Sequence, residues 1–177
     1  MTFPGRNFQT LTIPGGFFLS KIQISKAMNE VNVKHKVFEA VLKAQEEATE
    51  LARQAMTEAD QAAQEEVNTM DIYESYRTQY LQKSEMFARQ FQKATEQLEI
   101  IRRIDPNRKC DTVEFGAAVI TSKQKMFVAI GMGKIEVDGD TWYVISPQVP
   151  IFAAMKGKKE GDEFTFNNVK HTILQIF

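Results

Sequence analysis

Cysteine is almost missing from this chain. Cys110 stands alone among 177 residues, which excludes an intrachain disulfide framework and any cysteine-based zinc cluster and makes a reducing cytoplasm the expected compartment. Long apolar runs are missing as well. Phe17, Phe18 and Leu19 near the start are interrupted by Pro4, Pro14, Gly15 and Gly16, whereas a signal peptide needs a basic start and about 7–15 continuous apolar residues. No later run reaches the roughly 20 apolar residues of a membrane span, so no membrane partner is expected. Net charge is close to absent at -1, which argues against autonomous nucleic-acid binding. Histidine occurs only as His35 and His171, with no acid or nucleophile at a recognisable spacing, so no triad and no zinc motif is read. Gly131-Met132-Gly133-Lys134 lacks the four-residue gap and the following Ser or Thr of a phosphate loop, and reads as a turn.

Proline and glycine are missing where it matters most. From about Val33 to Val67 neither occurs, and Ala, Glu, Gln and Leu dominate, which predicts one long helix. Val41, Ala44, Ala48, Leu51, Ala55, Ala59 and Ala62 recur at spacings of three and four, a stripe of mostly small residues. A second uninterrupted pattern runs from Asp71 to Ile104, where Tyr73, Tyr76, Tyr80, Phe87, Phe91, Ala94, Leu98 and Ile101 form a large, aromatic stripe. Large residues facing a small seam, with only Asn68-Thr69-Met70 between, predict an antiparallel helical hairpin. Its length is on the order of 45–50 Å at about 1.5 Å per residue. Residues 1–27 read as a flexible tail, since Met28 directly precedes the first convincing helical segment, and residues 28–105 as the helical arm.

Basic residues are missing from one further place. Between Arg53 and Arg77 there is no Lys or Arg, yet Glu58, Asp60, Glu65, Glu66, Asp71 and Glu74 all fall there. This acidic block lies where the two helical patterns meet, and carboxylate oxygens are the preferred ligands of hard cations such as Mg2+. Asp71 and Glu74, three apart, would share one helical face. Equally, Asp71 as an N-cap with Glu74 three residues on resembles a capping box. At the other end of the arm Arg102, Arg103, Arg108 and Lys109 form a basic patch, open to an acidic partner, to nucleic acid or to solvent.

Asp105-Pro106-Asn107 stops the second helix, because Pro disfavours helical geometry in the residue before it and has no N–H to donate. Beyond it the period becomes two: residues 113–119, 125–130, 141–145, 163–166 and 170–176 read as strands. Gly131-Met132-Gly133, Asp138-Gly139-Asp140 and Gly161-Asp162 read as turns, and Val149 to Lys156 as one short helix ended by Gly157. Residues 106–177 thus read as a small α+β domain.

In this half Val113-Glu114-Phe115-Gly116-Ala117-Ala118-Val119, Ile145-Ser146-Pro147 and Ala154-Met155-Lys156-Gly157-Lys158-Lys159-Glu160-Gly161-Asp162 resemble the FKBP-like domain of bacterial Gre transcript-cleavage factors. In that family an antiparallel coiled coil precedes the domain, joined by a segment similar to Ile104-Asp105-Pro106, so the likeness covers roughly residues 33–177. The family's tip pattern, Asp-Leu-Ser-Glu-Asn-Ala-Glu-Tyr, falls on residues 71–78. Asp71 and Glu74 match its two essential acids, while Ser75, Arg77 and Thr78 replace its Asn, its last acid and its Tyr.

The resemblance implies a cytoplasmic transcription elongation factor, expected as a monomer, whose partner is RNA polymerase and whose arm enters the secondary channel. The factor would not be an enzyme itself. It would bind no cofactor alone, bring Asp71 and Glu74 to Mg2+ shared with the polymerase site, and meet RNA only within the elongation complex. Ser146, Pro147, Gly157 and Lys158 are the residues implied in docking. Two other classes stay open: a channel-occupying regulator without cleavage, and a peptidyl-prolyl isomerase, for which Trp142 and Phe152 are the residues to inspect.

Overall fold

With no Gly or Pro between residues 21 and 69, nothing in the backbone interrupts the first helix, and α1 spans Lys21–Thr69. The computed structural model describes the backbone of residues 21–69 and 74–177, and the side chains of residues 32–62, 64 and 78–177. The helix begins well before the expected Val33, because the stretch from Lys21 onward already lacks breakers. Helix α2 spans Glu74–Arg102. It closes on a tighter turn, with the Ile104 N–H donating to Ile101 O at 2.9 Å, and the Asp105 carboxylate accepts from the Asn107 N–H at 2.9 Å. The expected link at Asn68-Thr69-Met70 is helical through Thr69, and the connection itself lies outside the described residues.

The two helices pair antiparallel, as cross-links at successive heights show. Arg102 meets Glu46 at 3.1 Å, the Gln45 amide donates to Ala94 O at 3.0 Å, Thr49 donates to the same oxygen at 3.3 Å, and farther out the Ser84 hydroxyl donates to Asp60. The seam differs from the expected small-residue stripe. Val41 and Ala59 are buried and Ala44 and Ala55 half-buried, but Ala48, Leu51 and Ala62 are exposed, Leu51 to 65%. The buried line instead runs through Lys34, Val37, Phe38, Val41 and Gln45, rotated by part of a turn, because the base of the helix must face the sheet as well as α2. On α2 the expected stripe holds where side chains are described: Tyr80, Phe87, Phe91 and Ala94 are half-buried, Leu98 and Ile101 buried.

A mixed six-stranded sheet follows. Its strands are β1 (Ala118–Thr121), β2 (Lys125–Val128), β3 (Gly133–Val137), β4 (Asp140–Ile145), β5 (Glu163–Phe166) and β6 (Val169–Ile176), with helix α3 (Pro150–Met155) between β4 and β5. Their order across the sheet is β3-β4-β2-β1-β6-β5. β2 and β4 are parallel, Phe127 beside Val144, and the other pairs are antiparallel. Period-two alternation sends Ala118, Phe127, Trp142 and Val144 to one face, where Val37, Phe38, Val41, Ile101 and Ile104 of the arm's base complete a buried cluster. Val119, Met126, Val128, Ile173 and Ile176 point to the other face, under Ile151, Phe152 and Met155 of α3. The central strands are therefore apolar on both faces, as strands covered from both sides must be.

Two expectations are corrected here. Residues 113–117 form no strand; β1 starts only at Ala118. Gly116 takes φ +83, its N–H donates to Val128 O at 2.8 Å, and a Cβ there would stand 3.2 Å from Ile104 Cγ2. Chain reversal and close approach both demand glycine at this point. Gly116→Ala is accordingly expected to cost about 1–2 kcal/mol in urea unfolding. The second correction is β3, an edge strand hidden between two turn signals, whose Gly133, Lys134 and Glu136 are exposed. The Asp138-Gly139 turn to β4 has positive φ at both residues, the geometry that matches hairpin twist.

His171 on β6 is buried and stacks on Phe164, ring centroids 4.9 Å apart and 9° from parallel. Its Nδ1 has no hydrogen-bond partner. Burial, helped by the charge of Lys123, holds its pKa below the ordinary 6.5. The unfolded chain therefore takes up this proton first as pH falls. The contribution of the neutral ring is complete above about pH 6.5 and is lost below it, through the lowered folded value. Chemical denaturation at pH 7.5 and pH 5 should show that loss, and His171→Phe, which keeps the stack, should reduce it.

Candidate functional site

The far end of the arm is where sequence reasoning places its acids. Glu74 is the first residue of α2, while Asp71 and the side chains of Glu65, Glu66 and Glu74 lie outside the described residues, as do the shared face and the capping box expected for Asp71 and Glu74. Of the remaining block, Glu58 is exposed and Asp60 accepts from Ser84 across the helix pair, so Asp60 is engaged in pairing. Arg53, the cation bounding the block, is matched by Glu50 at 2.7 Å. Hydrogen bonds from Arg53 and then Gln54 lower the Glu50 carboxyl to about 2. Its charge is thus compensated locally and offsets little of the acidity farther along. Among the described residues no cluster of three or more His, Cys, Asp or Glu is placed to hold a metal ion, and no helix is long and apolar enough to cross a membrane.

The four residues implied in docking flank α3. Ser146 and Pro147 lie just before it: the Ser146 hydroxyl accepts from the Gln148 N–H at 3.2 Å, and Pro147 is exposed. Gly157 and Lys158 lie just after it. Gly157, at φ +73, follows the last helical turn in the left-handed conformation that ends helices. Its N–H donates to Val113 O at 2.8 Å and the Val113 N–H donates to Lys158 O at 2.9 Å, fixing this end of α3 to the segment before β1. The two pairs therefore sit at opposite ends of a six-residue helix, about 9 Å long.

Trp142 and Phe152 are both buried, but in the two clusters on opposite faces of the sheet. They line no common aromatic pocket. A groove of ≈ 420 Å³ runs along the outer side of α2, lined by Gln82, Glu85, Met86, Arg89, Gln90 and Lys93. Its Glu85 and Arg89 are paired with each other at 2.7 Å. In the basic patch Arg102 is matched by Glu46 at 3.1 Å and Arg108 by Glu114 at 2.7 Å, leaving Arg103 and Lys109 exposed.

Sequence reasoning missed Lys34. Its side chain is 2% exposed and donates to Arg108 O at 2.6 Å and to Cys110 Sγ at 3.4 Å. A signal existed in the line Lys34, Val37, Phe38, Val41, where a lysine holds a position otherwise reserved for apolar side chains. No protein-family model matches the chain, and no curated protein matches it in sequence.

Proposed function

We propose that this protein is a Gre-like transcription elongation factor that docks on RNA polymerase through its sheet domain, inserts its helix pair as a coiled coil into the secondary channel and stimulates cleavage of backtracked RNA. One observation carries the reading: a long antiparallel helix pair stands on a small mixed sheet, in the order and with the junction that the Gre-like motifs require. Helix α2 alone, at 29 residues, is about 44 Å long, enough to carry a terminal carboxylate away from a docked base into a narrow passage. The sheet domain is FKBP-like in this reading and serves for docking through Ser146, Pro147, Gly157 and Lys158. Burial of Trp142 and Phe152 on opposite faces supports docking over prolyl isomerisation.

Asp71 and Glu74 are the acids that would act at the polymerase site. Their oxygens are donors of the class Mg2+ takes, so at the polymerase site Asp71 and Glu74 would help hold an ion whose chemistry there would be support of phosphodiester cleavage by water. The protein would act as a monomer in the cytoplasm. Ser75, Arg77 and Thr78, which depart from the family tip, favour a second reading in which the arm occupies the channel without promoting cleavage. A photo-cross-linker placed at the exposed Leu81 tests delivery of the arm: cross-links to channel-lining polymerase subunits are expected, and cross-links confined to the polymerase exterior would refute insertion.

A further inference from the structure

A lysine is rarely buried unless paired with an acid, and among the described residues no acid forms an ion pair with Lys34, the neighbouring Glu114 carboxylate being paired with Arg108. Its described partners, the Arg108 carbonyl at 2.6 Å and the Cys110 sulfur at 3.4 Å, are both uncharged, since burial pushes the Cys110 thiol up. Taking an ammonium out of water against neutral acceptors is a poor route to stability. Its placement suggests another role. Lys34 belongs to α1, while Arg108 and Cys110 belong to the segment that leaves α2 and leads to β1, the covalent joint between arm and sheet.

We propose that Lys34 is a positioning residue that fixes the direction of the arm relative to the sheet. The rest of the joint cannot set an angle so narrowly. Contacts among Val37, Phe38, Val41, Ile101, Ile104 and the sheet residues Phe127, Trp142 and Val144 are apolar and non-directional. Lys36 meets Asp138 at 2.6 Å, but both side chains are about half exposed or more, and such pairs hold geometry weakly. The Lys34 bonds are directional, one part-buried and one buried, so any tilt that breaks them leaves a 2% exposed lysine without these acceptors. The functional meaning rests on the proposed insertion into polymerase, because a long arm turns a small angular error at its base into a large displacement of Asp71 and Glu74.

Spin labels at Leu81→Cys on the arm and Leu174→Cys on the sheet, both exposed positions, read the arm's direction by pulsed electron resonance on the protein alone, with buried Cys110 left in place. In Lys34→Met the distance distribution is expected to broaden about twofold, as several orientations replace one, while thermal unfolding stays within about 3 °C of the parent or rises. Lys36→Ala should leave the width unchanged. An unchanged width in folded Lys34→Met overturns the proposal. So does failure of that variant to fold, because the ammonium would then serve stability. With polymerase, Lys34→Met should bind as the parent does yet stimulate RNA shortening less. A parent protein that leaves polymerase unaffected would refute the functional reading while the spin-label result still decides the lock.

Discussion

Trp142→Ala is expected to destabilise the protein by about 3–5 kcal/mol, read as a fall in the urea midpoint by far-ultraviolet circular dichroism. Trp142 is 2% exposed and is the largest fully buried side chain. It lies in the cluster that joins the sheet to Val37, Val41 and Ile101 of the helices. Its loss opens a cavity where arm and sheet meet. Total stability of a single domain is about 5–15 kcal/mol, so the variant should be marginal. Because one cluster serves both halves, helix and sheet signals should be lost in one transition. Leu51→Ala, at an exposed site of comparable hydrophobicity, should change stability by no more than about 0.5 kcal/mol. A small effect of Trp142→Ala, or separate transitions for helix and sheet, would contradict this account of the joint.

Much of this architecture could be read from the residues because its signals are local. Breaker-free stretches set the helices, Asp105-Pro106 ended the second, and a change from helical to alternating period announced the sheet. Strands β2, β4, β5 and β6 and helix α3 fall where alternation and Gly157 place them. The errors arise where tertiary contacts override pattern. Residues 113–117 alternate like a strand, yet Gly116 must turn under Ile104, a contact no spacing reveals. Leu51 matches the helical seam by count but faces solvent, since the buried and half-buried line of α1 runs one position on, through Gln45, Thr49, Ala52 and Met56, with Gln45 and Thr49 bonded to α2.

The candidate site was less legible than the fold. Asp71 and Glu74 stand out by a charge pattern and by likeness to a family tip, and neither signal says where a carboxylate points. Lys34 shows the converse. Its burial follows from a contact with Arg108 O 74 residues away, and only a lysine within an apolar stripe hinted at it.

The second large effect concerns the tip. Replacing Asp71→Asn together with Glu74→Gln should leave fold and polymerase binding intact, because both substitutions are neutral isosteres of the residues they replace. Stimulated cleavage should fall by about a hundredfold, the scale on which lost carboxylate support lowers metal-dependent activity. Inhibition of nucleotide addition that survives the double substitution would instead mark a channel-occupying regulator, consistent with Arg77 at the tip.

The most direct measurement follows RNA length in a stalled, backtracked RNA polymerase complex supplied with Mg2+, with and without this protein. Accelerated shortening by the intact protein, lost in the Asp71→Asn, Glu74→Gln variant, is the expected result. Shortening at the unassisted rate in the presence of polymerase-bound protein would contradict delivery of these two carboxylates to the cleavage site.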